Sequence, residues 1–123
     1  MGKDIYVESK YFSYYGSKSS DLLMAFDRFF GKFPKHNISE DEYFDFDFDG
    51  YYDVKLSKKE IGQVMEFIKD DISLHSNLYR NADELLEQIN NIYIRMMPND
   101  FAEVWTCWPH KRVILRRETY GSA

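Results

Sequence analysis

From Phe44 to Asp49 the chain alternates without a break, with Phe44, Phe46 and Phe48 set between Asp45, Asp47 and Asp49. A period of two puts these residues on opposite faces of a β-strand, one apolar and one acidic. Aromatic residues favour strands and Asp does not. The Asp face therefore answers to something other than strand propensity: it is either a solvated surface or a row of negative charge that is wanted there. The alternation sits inside a longer run, residues 40–53, in which seven of fourteen residues are carboxylates, six are aromatic and none is Lys or Arg.

The run leads into a hairpin. Asp49-Gly50 is a turn signal, and Tyr51 to Leu56 reads as the return strand. A two-residue turn would mix the apolar and charged faces. A three-residue loop pairs Phe48, Phe46 and Phe44 with Tyr52, Val54 and Leu56, and puts Asp47 and Asp45 opposite Asp53 and Lys55. Register follows the buried face, so the longer loop is expected.

Three stretches carry helical spacing instead. Leu22, Leu23, Phe26, Phe29, Phe30 and Phe33 form one apolar stripe after the capping residues Ser19 and Ser20, with Gly31 and Pro34 at its end. Ser57-Lys-Lys-Glu60 is a capping box, followed by Ile61, Val64, Met65, Ile68 and Ile72. Asn81, with Glu84 three residues on, starts a third stripe of Leu85, Leu86, Ile89, Ile92, Tyr93, Met96 and Met97, stopped by Pro98. The spacing thus predicts helices over about 20–33, 58–72 and 82–97. Residues 4–15 contain a strand, and 101–108 and 112–119 read as two more. The order β-α-β-β-α-α-β-β, with short turns between strands, predicts an α+β fold: one antiparallel sheet with about three helices packed on one side. The 123 residues are long enough for one domain, 1–123, with a real core.

Charge bounds the partners. The formal net charge is -5, from 21 acidic and 16 basic residues. The basic residues Lys111, Arg112, Arg116 and Arg117 cluster near the end, while the body is acidic. That balance argues against general nucleic-acid binding, which needs Lys and Arg to displace counterions, and it favours a basic protein partner or plain solubility. No apolar run is long enough for a membrane span. The first residues lack a secretion pattern, and the one cysteine, Cys107, permits no intrachain disulfide. A cytoplasmic setting is expected.

No complete catalytic or cofactor motif is present, so no cofactor is expected. Asp45-x-Asp47-x-Asp49-Gly50 is similar to the first half of an EF-hand calcium loop, but its twelfth position falls on Leu56, where a bidentate acid belongs. His36, His75 and His110 have no ligand spacing, and no metal is expected. Cys107 and His110 lie near enough in sequence for a thiol–imidazole pair, though a small core residue is the usual role of such a Cys.

Asp53-x-Lys55, with an Asp on the antiparallel neighbour, resembles the PD-(D/E)xK nucleases, in which Mg²⁺ sits between two carboxylates and a Lys helps activate water. The resemblance covers this hairpin alone, and the Pro before the first Asp is replaced by Phe44 or Phe46. It implies a nuclease site on Asp47, Asp53 and Lys55, with Asp45 nearby.

The reading preferred from the residues is a small acidic, protein-binding inhibitor rather than an enzyme. Its contact residues are Glu42, Tyr43, Asp45, Asp47, Asp49, Tyr51, Tyr52 and Asp53. Fixed carboxylates at strand spacing occupy the positions that phosphates take on a nucleic acid, and Tyr adds contact area at low entropic cost. By physical type this suits a nucleic-acid mimic aimed at the basic site of a nucleic-acid-processing enzyme, as in immunity proteins of bacterial toxins or phage-encoded inhibitors of host defence, anti-CRISPR proteins among them. Trp105, Trp108, Arg116 and Arg117 form a second candidate patch. A generic interaction domain is the plainer alternative.

Overall fold

Residues 3–33 and 52–107 are described by the computed structural model of the chain. Within them the stretch expected to contain one strand makes two: β1, Asp4–Ser9, and β2, Phe12–Gly16, pair antiparallel with Ser9 opposite Phe12. Tight hairpins usually announce themselves with Asn or Gly. Here Lys10 and Tyr11 make the connection, and the Tyr11 N–H donates to Ser9 Oγ at 3.0 Å. A side chain thus supplies the acceptor that turn chemistry normally provides, which is why the hairpin is hard to read from residue types.

Helix α1, Asp21–Lys32, begins where the capping residues place it: the Leu23 N–H donates to Ser20 Oγ, and Asp21 sits in the positive first turn. Strand β3, Asp53–Ser57, runs straight into α2, Lys58–Leu74. Ser57 is both the last strand residue and the helix cap. The Glu60 N–H donates to Ser57 Oγ at 3.2 Å, and the Ser57 N–H donates to the Glu60 carboxylate at 2.8 Å. Ser57→Ala is expected to cost about 1 kcal/mol of stability in urea unfolding, because it strips the cap at the point where strand becomes helix. A single 3₁₀ turn, Ser76–Leu78, leads to α3, Ala82–Arg95, capped by Asn81, and then to β4, Phe101–Cys107.

The four strands form one antiparallel sheet in the order β2-β1-β4-β3. The three helices pack on one side of it. Ile5, Val7, Val54, Leu56, Ala102 and Val104, alternate residues along their strands, join Phe26, Phe29, Phe30, Ile61, Ile68 and Ile89 from the helices in a single buried cluster. Helices α2 and α3 approach closely at Gly62, where a Cβ would sit 3.2 Å from Tyr93 Cε1. This α+β architecture is the one the residue pattern predicts. The strands expected over 44–48 and 112–119, and the loop at 49–51, lie outside the described residues.

Polar links hold the helical layer in register. The guanidinium of Arg28 on α1 donates twice to Asp71 on α2, at 2.7 and 2.8 Å, and the Tyr79 hydroxyl donates to the same carboxylate at 2.5 Å. The Asp21 carboxylate accepts from the Arg80 and Asn81 N–H groups at 2.9 and 2.8 Å. The start of α1 thereby fixes the entry of α3.

Candidate functional site

The sheet face away from the helices is built from the other half of each strand's alternation. Its cross-strand rows follow from the register. One row reads Asp53, Trp105, Tyr6, Tyr15, and the next reads Lys55, Glu103, Glu8, Ser13. Trp105 stacks on Tyr6 with centroids 4.5 Å apart, and Tyr15 lies against Tyr6 at 5.2 Å. The Trp105 Nε1–H donates to Glu8 Oε1 at 3.0 Å, and Ser13 Oγ donates to Glu8 Oε2 at 3.1 Å. Tyr6, Trp105 and Cys107 form a second buried cluster, separate from the main core. Tyr15 and Phe101 are exposed.

Two carboxylates, Glu8 and Glu103, stand directly opposite each other, a like-charge placement that costs stability unless other groups answer it. Lys55 is Glu103's neighbour on the far side. Around this row a depression of about 440 Å³ is lined by Glu8, Lys10, Ser13, Lys55, Phe101 and Glu103. Its two acids and two bases give it no dominant sign. A larger groove of about 510 Å³ lies between α1 and α2, walled by Phe29, Phe33 and Phe67, and its rim again mixes Lys32 and Lys59 with Glu66 and Asp70.

The acidic run enters the described structure at Tyr52, and that residue is held on every side. Its N–H donates to Thr106 Oγ1 at 3.0 Å and its carbonyl accepts from the Thr106 N–H at 2.9 Å. The phenol donates to Asp27 on α1 at 2.8 Å, and the ring meets Phe30 edge-on at 4.7 Å. The Lys3 ammonium lies 3.1 Å from the Asp27 carboxylate and 5.0 Å from the centre of the Tyr52 ring. Burial, reinforced by the Asp27 carboxylate, raises the Tyr52 phenol pKa well above its ordinary value. The hydroxyl is therefore a permanent donor.

Of the residues singled out from sequence, Tyr52 is only 1% exposed. Grouped there with the contact residues, it instead turns its ring into the core, because even-numbered positions of this strand face the helices. Asp53 and Lys55 share the outer face, with Lys55 exposed. Trp105 is 3% exposed, so its ring packs inside the second cluster rather than standing out from the surface. Cys107 is buried. Glu42, Tyr43, Asp45, Asp47, Asp49, Tyr51, Trp108, Arg116 and Arg117, with His110, lie outside the described residues. Among the described residues no three His, Cys, Asp or Glu side chains are grouped as metal ligands, and no helix is long and apolar enough to cross a membrane.

Sequence reading overlooks Glu8, Tyr6, Tyr15 and Glu103. The alternations Ile5-Tyr6-Val7-Glu8 and Ala102-Glu103-Val104-Trp105 are the signals that would have put Tyr6, Glu8 and Glu103 on one face. It overlooks Asp27 too, and no local pattern would have singled that residue out. No family model, curated protein or solved structure matches this chain.

Proposed function

We propose that this protein is a binding module that offers an acidic, aromatic surface to a basic site on another protein, such as the nucleic-acid-binding surface of a nuclease or other nucleic-acid-processing enzyme. The observation that carries this reading is the anchoring of Tyr52. A stretch whose charge is of one sign joins the sheet through a residue tied to β4, α1 and the core at once. A solvated loop has no need of such a root. A charged surface that must meet a partner in one geometry does, because desolvated ion pairs are favourable only when well aligned. Asp53 continues the negative charge onto the outer face of β3. An inhibitor of the immunity-protein or phage anti-defence type is the setting that fits such a surface.

The test is the triple variant Asp45→Asn, Asp47→Asn, Asp53→Asn, assayed against a partner recovered with the intact protein, with circular dichroism to check folding. The expected result is a slower on-rate and a loss of affinity of roughly 2 kcal/mol or more if any one of these charges meets a desolvated Arg or Lys. A folded triple variant that binds like the parent would refute the reading. A Mg²⁺-dependent nuclease is the second reading, favoured by Asp53 and Lys55 lying on one sheet face. It predicts Mg²⁺-dependent cleavage of nucleic acid that Asp53→Asn and Lys55→Ala each abolish.

A further inference from the structure

We propose that the groove between α1 and α2 binds a free aromatic amino acid, its ring against Phe29, Phe33 and Phe67, its carboxylate on Lys32 and its ammonium on Glu66 and Asp70. The site shares no residue with the acidic surface, so the two readings stand or fall separately. The apolar wall is the first observation. Helix α2 turns Ile61, Val64 and Ile68 into the core. Phe67 and Leu74 lie off that stripe, seven positions apart and so on one side of the helix. Leu74 is 76% exposed, and Phe33, across the groove on α1, is 39% exposed. Phe67 meets Phe29 at 5.8 Å with the planes at 72°, and Phe33 at 6.3 Å with the planes at 84°. Tilted rings offer both edges and faces, the surface against which a further aromatic ring packs best. The groove holds about 510 Å³, inside the range of roughly 300–1,000 Å³ for small-molecule sites.

The charges on the rim are the second observation. The Lys32 ammonium stands over two rings of the wall, 5.6 Å from the centre of Phe33 and 5.8 Å from that of Phe67. Among the described residues Lys32, Lys59 and Asp70 make no ion pair, and Glu66 meets only Lys69, at 3.4 Å. The rim therefore holds both signs, unanswered, beside an apolar wall. A hydrocarbon would take water from these charges without pairing them. A simple organic anion would face Glu66 and Asp70 unpaired, and a simple cation would face Lys32. A peptide terminus brings one of the two charges, whereas a free amino acid brings both. An aromatic side chain then satisfies wall and rim together.

The experiment titrates L-phenylalanine into the ¹⁵N-labelled protein and follows the amide chemical shifts. Phenethylamine, which lacks the carboxylate, 3-phenylpropionate, which lacks the ammonium, and L-leucine, which lacks the ring, are the comparison probes. Phenylalanine shifts amides of residues 29–33 and 62–74. Each one-charge probe binds about tenfold more weakly, the size of one charge-assisted hydrogen bond, and leucine also binds more weakly than phenylalanine. Lys32→Met weakens phenylalanine by about the same factor and leaves phenethylamine unchanged. Glu66→Gln combined with Asp70→Asn weakens phenylalanine and leaves 3-phenylpropionate unchanged. These substitutions alter only exposed side chains, and circular dichroism checks that the variants stay folded. No saturable shift at millimolar phenylalanine, or shifts confined to other elements, overturns the site. One-charge probes or leucine that bind as tightly as phenylalanine overturn the assignment of the ligand, and folded variants that bind phenylalanine like the parent overturn the roles of Lys32, Glu66 and Asp70.

Discussion

Phe30→Ala is expected to lower the unfolding free energy by about 3–5 kcal/mol, the range for truncating a fully buried Phe. Phe30 has no exposed surface. Its ring meets Tyr52 at 4.7 Å, Phe29 at 5.5 Å and Phe26 at 6.0 Å between centroids. Deleting it removes the transfer energy of the ring and leaves a cavity between α1 and the root of β3, where three other aromatic rings have no room to collapse together without leaving their own contacts. Urea unfolding with an unchanged m-value would register the loss as stability alone. A change below about 1 kcal/mol, as at a surface position, would mean that this part of the core is not packed as described. Because Phe30 supports the Tyr52 ring, the variant should also speed amide exchange in β3 beyond the general loss.

Asp71→Ala is expected to cost roughly 3 kcal/mol, near the lower end for breaking a buried ion pair by removing one partner. Asp71 is 6% exposed and accepts from Arg28 twice and from Tyr79 once. Its loss orphans a buried phenol, whereas the Arg28 side chain, 36% exposed, keeps some access to water, and that tempers the cost. The hydrogen bonds from Arg28 hold the Asp71 carboxyl below its ordinary value of 3.8, in spite of the opposing effect of burial. Since the folded state binds this proton more weakly than the unfolded chain, the stabilisation is fully present above the ordinary carboxylate range. It is lost as pH falls through the lower, folded value. The stability difference between parent and Asp71→Ala should therefore be constant from neutral pH down to about 5 and shrink only below about 4. A difference that shrank already between pH 7 and 5 would contradict the pairing. The Tyr79 phenol, raised by burial and by its bond to Asp71, adds no titration of its own at neutral pH.

The helical half of this fold is legible in the amino-acid sequence for a physical reason. A helix is a local structure, and its caps and its apolar stripe lie within a few residues of one another. Ser20, Ser57 and Asn81 each accept the hydrogen bond that their residue type and position imply. Ile61, Val64 and Ile68 lie in the core because their spacing leaves them no other face. The apolar positions Tyr52, Val54 and Leu56 likewise marked β3, and with residues 101–108 read as a strand the sheet and its one-sided helical layer could be inferred. The β1–β2 hairpin escaped because a Ser side chain, rather than a turn residue, closes it.

What the sequence by itself determined, then, is an α+β chain with three amphipathic helices, an acidic body and a single-signed run of carboxylates. What only the tertiary structure decided is which residues from distant parts of the chain meet. Strand order set Glu8 beside Glu103, 95 positions apart, and seated Trp105 on Tyr6. Packing turned Tyr52 inward onto Asp27, and brought Arg28 to Asp71 across 43 positions. Such pairs leave no local trace, because each partner's residue type is compatible with a solvated surface until the fold removes the water between them.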